Sequence, residues 1–240
     1  MHLPIFFNGS LLKCLVVGGG PSVLCKVEAL IEAGSSVMVI SKQPDFKVVV
    51  LASLARVKLE QRDFEEGDYD GYDLIVIGSE EEVSKKEIAA KARDKNIPVN
   101  VCGAPDISTF YFPAVLREGD LTAAVSSGGT APFMAVEFQR RLAGAVKGWA
   151  RWVTMGGRFR KAVLRSSRTA ARRTEYYGKF IAAGPFQLDP EPSEKTTVAE
   201  WLQILQHTSN SSKDAGRSAG VRSVESSQEG SVASKEYNGD

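Results

Sequence analysis

Histidine is scarce in this 240-residue chain, with only His2 and His207, one close to each end. Three cysteines, Cys14, Cys25 and Cys102, have no metal-ligand spacing. No metal site is therefore expected, and an odd number of thiols argues against a disulfide framework. Reduced thiols in a cytoplasmic protein are the simple reading. Long apolar runs are missing too. No stretch approaches the roughly 18 residues of a membrane span, and "MHLPIFFNGS" lacks the basic n-region of a secretory signal. A soluble chain with no membrane partner is expected. Net charge is also nearly absent, with 30 Lys and Arg against 29 Asp and Glu. Bulk charge argues neither for nor against a polyanionic partner; no nucleic-acid partner is expected.

What is present is core. Hydrophobic residues make up 43% of the chain, enough for one or two domains. From 12 to 101, short β-rich runs alternate with helical patterns. "LKCLVVG" is followed by three glycines and "PSVLCKVEALIEAG", in which Val23, Val27, Leu30 and Ile31 recur at helical spacing and Gly34 suits a C-cap. "SVMVIS", "VKLEQRDF", "YDLIVIGS" and "IPVNV" read as further strands, with helices over "DFKVVVLASLA" and the charged stretch 80–95. Apolar strands separated by helices predict an α/β fold with a doubly wound parallel sheet.

Beyond residue 110 the pattern changes. "FYFPAVLREGDLTAAVSSGG" reads as two strands joined at Glu118–Asp120, a hairpin that either extends the sheet or mates with a second subunit. Residues 131 to about 183 read as helices, and 151–180 carries nine basic residues against the single acid Glu175. Such a stretch serves an anionic ligand or simply faces solvent. The last 35 residues hold nine serines and few large apolar groups, a composition that predicts disorder.

"VVGGGPSVLCK" follows a strand and opens a helix. Gly18 and Gly20 occupy the first two glycines of G-x-G-x-x-G, which let a turn tighten and a pyrophosphate approach the helix N-terminus. Val23 stands at the third position, where a small residue normally allows close helix–strand packing. The motif alone is also compatible with a plain tight turn. The acid that usually binds ribose after the second strand is absent, and Ser41, Lys42 and Gln43 stand there instead. A hydroxyl suits a ribose and Lys42 a 2′-phosphate, so NAD and NADP both remain open.

Several stretches together resemble one family. "HLPIFFN", "CLVVGGG" with Lys26 downstream, "ALIEAG", "FYFPAVLREGDLTAAVSSGGTAP" and "TMGGR" occur in the order seen in the precorrin-2 dehydrogenase/ferrochelatase module of siroheme synthase and its stand-alone relatives. The resemblance covers roughly residues 1–185. It implies a Rossmann-like domain over 1–112 and a dimerisation region over 113–147. A helical region over 148–205 and a tail over 206–240 complete the division. It also implies a homodimer that oxidises precorrin-2 to sirohydrochlorin with NAD. Cofactor contacts would fall on Gly18, Gly19, Gly20, Pro21 and Ser22, and on Ser41, Lys42 and Gln43. Ser126, Ser127, Gly128, Gly129 and Thr130 would line the substrate cleft, and the basic stretch would meet the tetrapyrrole's carboxylates.

The departures are specific. The family pattern reads V-N-V-V-D, and its aspartate is implicated in both dehydrogenation and chelation; here that position is Gly103. Asp106 is a candidate substitute if the glycine re-aims the turn, the alternative being an ordinary surface aspartate that begins the next segment. Cys25 replaces an arginine, Ser84 lies near the usual asparagine, Ala131 replaces a serine, and the A-A-T-D-D strand end reads Ile77 to Glu81. Ferrochelatase activity is therefore doubtful. The expectation is an NAD-dependent precorrin-2 dehydrogenase weakened at 103. The alternative is a non-catalytic dinucleotide- or tetrapyrrole-binding carrier or regulator of the same descent.

Overall fold

A computed structural model describes residues 2–78, 82–184 and 191–207. The strand-end residues Ser79, Glu80 and Glu81 and the Ser-rich tail from 208 onward lie outside the described residues. Two compact units are formed, the first by Met1–Arg117 with Thr122–Val146, the second by Glu118–Leu121 with the chain from Lys147.

The first unit is built on a five-stranded parallel sheet of β1 (Lys13–Val17), β2 (Ser36–Ile40), β3 (Lys58–Glu60), β4 (Leu74–Ile77) and β5 (Val99–Val101), in the order β3-β2-β1-β4-β5. Helices α1 (Pro21–Glu32), α2 (Phe46–Ser53) and α3 (Glu82–Asp94) make the crossovers. β1 and β4 lie at the centre, which is why their sequences are continuous apolar runs rather than alternating ones. Leu15, Val16, Ile75, Val76 and Ile77 are all fully buried. Each contributes about 1.5–3 kcal/mol of burial. Their alternate side chains feed two cores, one with Val23, Val27 and Leu30 of α1, the other with Ile88, Ala89 and Ala92 of α3. α1 ends as its pattern predicts: Ser35 N–H bonds the Leu30 carbonyl and Gly34 N–H that of Ile31, a Schellman stop.

β3 is shorter than "VKLEQRDF" suggests. As an edge strand it pairs only through Lys58–Glu60, after which Arg62 holds Glu60 at 2.7 Å and Asp68 at 2.6 Å. Those ionic contacts hold the chain where it has left the ladder. The hairpin of β6 (Ala114–Glu118) and β7 (Leu121–Val125) forms its own two-stranded sheet rather than extending the larger one. α4 (Pro132–Ala145) follows and leaves Phe133, Met134, Val136 and Phe138 exposed.

The second unit contains α5 (Trp149–Ser166), α6 (Ala170–Ala182) and a helical stretch at 198–207. Its core is aromatic. Phe159 stacks on Phe180 with centroids 5.1 Å apart, and Trp201 meets Phe159 edge-on at 5.5 Å. The basic stretch is largely occupied within this unit. Arg151 and Arg158 bind Glu191, Lys161 binds Glu194, Arg165 donates to the Glu194 carbonyl, and Lys179 binds Glu175. Glu191 and Glu194 thus form an internal acidic strap across α5.

Candidate functional site

The glycine turn stands where β1 gives way to α1. Gly18 adopts φ +95°, which the turn requires and only glycine takes without strain. Its N–H bonds the Ile40 carbonyl at 2.8 Å, tying the turn to the end of β2. Gly19 is glycine for a different reason. A Cβ there would lie 2.8 Å from the Pro44 Cα and from the Ser41 hydroxyl, and its carbonyl accepts the Asp45 N–H. Gly20 is the N-cap of α1 and brings no side chain to the first turn, while Pro21 sits at N1. The helix start is thus left without a side-chain cap, as an anion site over a helix N-terminus needs.

Val23, at the third glycine position, is fully buried. Gly78, just after β4, makes this possible, because a Cβ there would fall 1.9 Å from the Val23 Cγ1. The small residue that close packing demands has moved from the helix to the neighbouring strand end.

A cavity of about 570 Å³ opens at the carboxyl ends of these strands, within the usual size for a cofactor site. Gly18, Gly19, Gly20, Ser41, Lys42 and Gln43 all line it. The position fits the rule that parallel α/β sheets bind ligands where the strand order reverses, here between β1 and β4. Pro21 and Ser22 do not line it and stay exposed on the first turn of α1. Ser41 is buried with its hydroxyl against Gly19, so Lys42 and Gln43 carry the exposed side chains at this end.

The far wall comes from residues that sequence patterns did not single out, chiefly Arg62, Asp63, Phe64, Tyr69 and Lys91. Asp63 binds Lys42 at 3.0 Å, placing an acid beside the end of β2 from a different loop. Hydrogen bonding to Asp68 and Glu60 strengthens the protonated Arg62, and the same contact holds the Asp68 carboxyl below its ordinary range. Burial pushes the Tyr69 phenol up to about 12, and its hydroxyl donates to the Ile88 carbonyl. This wall is a set of closed ion pairs, with Ser84 of α3 also on the lining.

A second cluster gathers residues remote in sequence. Gly128 and Gly129 have φ +66° and +84°, and the loop is pinned by the Ser127 hydroxyl accepting from Ala131 N–H at 3.0 Å and the Ser126 hydroxyl accepting from Gly128 N–H at 3.1 Å. Thr130 N–H bonds the Ser127 carbonyl. A Cβ on Gly129 would come within 3.3 Å of Pro105, and Tyr111 donates its hydroxyl to the Pro105 carbonyl at 3.0 Å. The 126–130 loop and the turn beginning at Gly103 therefore meet. His2 joins them, its ring 4.8 Å from that of Tyr111 and 3.0 Å from where a Cβ on Gly128 would lie. The scarce histidine near the start of the chain, in the "HLPIF" stretch, thus packs against both segments.

Gly103 itself has φ +77° and faces open space, with nothing within 4 Å of where a Cβ would stand. It does not line the cavity, and neither does Asp106, which is exposed in the 3₁₀ turn Pro105–Ile107. The link to the first turn of α1 is Cys102, whose thiol lies 3.4 Å from the Ser22 carbonyl. Among the described residues, no three His, Cys, Asp or Glu side chains converge as a metal site.

Residues 5–114 match a family model described as "Putative NAD(P)-binding". The siroheme synthase of Methylococcus capsulatus is 36% identical over 141 residues, 59% of this chain and 30% of that protein. That of Methylobacillus flagellatus is 34% identical over 178 residues, 73% of this chain and 38% of that protein. Over the matched residues the chain is similar to the siroheme synthases. It spans about a third of the length of these relatives. Its fold is also that of a solved structure titled SirC, precorrin-2 dehydrogenase, with a TM-score of 0.63 and 15% identity over 86% of this chain and all of that one. A dinucleotide cofactor agrees with the description of the matched family model, and among the described residues no helix is long and apolar enough to cross a membrane.

Proposed function

We propose that the protein oxidises precorrin-2 to sirohydrochlorin with NAD. The observation that carries this reading is the meeting of three separate stretches, His2, the Gly103–Tyr111 segment and the Ser126–Thr130 loop, beside the start of the helix that borders the dinucleotide cavity. Each stretch belongs to the motifs that resemble the precorrin-2 dehydrogenases.

The Gly18–Gly20 turn and the uncapped start of α1 would hold the pyrophosphate, and Lys42 with Asp63 the adenosine ribose. When bound, NAD accepts the hydride. The 126–130 loop offers hydroxyls and the backbone N–H groups of a glycine-rich turn, which suit the substrate's carboxylates. Oxidation also releases a proton, and Gly103 supplies no group to take it. His2, held against Tyr111 and Gly128, is the proton acceptor of this cleft. Positioning of substrate against nicotinamide supplies the remainder of the rate.

The working form is a homodimer. A two-stranded sheet is marginal by itself, and β6–β7 shares no ladder with the larger sheet. Phe133, Met134, Val136 and Phe138 of α4 are exposed apolar side chains that a second copy would also cover.

A carrier or regulator that binds the same ligands without turnover is the second reading, favoured by the empty surroundings of Gly103. Purified protein supplied with precorrin-2 and NAD decides between them. NADH formation supports the enzyme, and tetrapyrrole binding without NADH supports the carrier.

A further inference from the structure

We propose that Cys25 and Cys102 form a dithiol site that low-molecular-weight disulfides oxidise to an intrachain disulfide. Nothing in the dehydrogenase reading uses these thiols. They are far apart in sequence, and the sheet order brings them together: β5 leaves the sheet beside β4, and Cys102 reaches the first turn of α1. The Cys102 thiol donates to the Ser22 carbonyl at 3.4 Å. The Lys26 ammonium donates to the same carbonyl at 3.3 Å and lies 3.7 Å from the Cys25 sulfur. One carbonyl and one ammonium thus separate the two sulfurs.

The environment divides the labour. Cys25 is exposed and Cys102 half-buried. Burial raises the Cys102 thiol, while Lys26 pulls it down by charge and hydrogen bonding, and Cys25 is close enough to act on it electrostatically. Thiolate is the reactive form, and a neighbouring ammonium stabilises it. Cys14 provides the contrast, being fully buried in β1 and pushed up to about 11 by that burial.

The chemistry balances without a further reagent. The Cys25 thiolate attacks one sulfur of a disulfide such as oxidised glutathione, the S–S bond breaks, and one glutathione leaves and takes up the proton that Cys25 lost. The Cys102 thiolate then attacks the Cys25 sulfur and expels the second glutathione, which takes the Cys102 proton. Two protein thiols are oxidised and one small disulfide is reduced to two thiols. Cys25 is exposed, and a change of its χ1 rotamer would carry its sulfur toward Cys102. The bond would tie the exit of β5, and with it the Gly103 turn, to α1.

The test is to incubate the full chain with oxidised glutathione, block remaining thiols by alkylation, and read intact mass and peptide map. Wild type should lose two thiols, yield a Cys25–Cys102 cross-linked peptide and keep Cys14 free. Cys102→Ser should stop at a glutathione adduct on Cys25. Cys25→Ser should react at least about tenfold more slowly, since the exposed attacking thiol is gone. Persistence of the Cys25 adduct in wild type, a cross-link between two chains, or failure to consume any thiol would each overturn the proposal. None of these readouts needs NAD or precorrin-2, so the outcome is independent of the proposed activity.

Discussion

A side chain on Gly78 would place its first carbon 1.9 Å from the Cγ1 of Val23, so these two residues occupy a space that admits only one of them. Val23 is fully buried and β-branched, with little rotamer freedom to give way. Gly78→Ala should therefore destabilise the fold by about 1–3 kcal/mol, the usual cost of overpacking. Val23→Ala in the same chain should recover much of that loss. Denaturant unfolding of the two single variants and the double variant measures the coupling. Purely additive effects would dissociate the pair.

The Gly18–Gly20 turn makes a separate prediction. Gly20→Asp puts a negative charge at the start of α1, where a pyrophosphate would sit. NAD affinity should fall by at least about tenfold, with circular dichroism unchanged. A titration in which the variant binds NAD as wild type does would remove the cofactor from this turn.

At the other end of the cavity, Lys42 is held by Asp63 at 3.0 Å, both side chains largely exposed. The pair neutralises the one cation that follows β2 directly. NADP should therefore bind more weakly than NAD. Asp63→Asn frees Lys42 and should narrow the gap by a few-fold, the small effect expected of an exposed pair. Calorimetry with both dinucleotides reads this directly, and a gap that fails to narrow assigns the discrimination elsewhere.

These three cases show why some of the molecule was legible in the sequence and some was not. β1 and β4 are readable because burial on both faces forces unbroken apolar runs, and the Gly18–Gly20 turn because a strand and a helix flank it. The hairpin and α4 likewise follow from pattern and turn chemistry. The far wall of the cavity does not, since Arg62, Asp63 and Asp68 are ordinary charged residues until their ion pairs form. β3 ends where those same pairs begin. Gly78 compensates for Val23 through space, and no local window contains both. The acids that cover α5, Glu191 and Glu194, act across a separation that charge counting within 151–180 could not include.

His2 is the residue whose role depends most on the folded chain. It packs on Tyr111 and against Gly128, and it is the proton acceptor in the proposed reaction. His2→Phe keeps an aromatic ring on Tyr111 but removes the base. Turnover of precorrin-2 should drop by about 10²–10⁴-fold, the range for loss of an acid–base group, with NAD affinity unchanged. Full activity in His2→Phe would reduce His2 to a packing residue.

The last prediction concerns Gly103. Its φ of +77° means that any side chain there is strained, yet nothing lies within 4 Å to obstruct one. The strain is not equal for all residues. Alanine carries the full left-handed cost of about 1–2 kcal/mol, whereas asparagine and aspartate enter this region several times more readily. Gly103→Asn is thus the proper control for Gly103→Asp, differing only in the acid, and Gly103→Ala reports the strain. If the chain is a dehydrogenase weakened at this position, Gly103→Asp should raise NAD-dependent oxidation of precorrin-2 at least about tenfold over wild type, the lower part of the general acid–base range. Gly103→Asn should stay near wild type, and Gly103→Ala should be the least stable of the set. Stopped-flow absorbance of NADH on the four proteins, with folding and NAD affinity verified, is the measurement. Equal activity in wild type and Gly103→Asp would show that the cleft needs no acid at 103 and leave His2 as the working base. Four proteins that bind tetrapyrrole and make no NADH would replace the enzyme with the carrier.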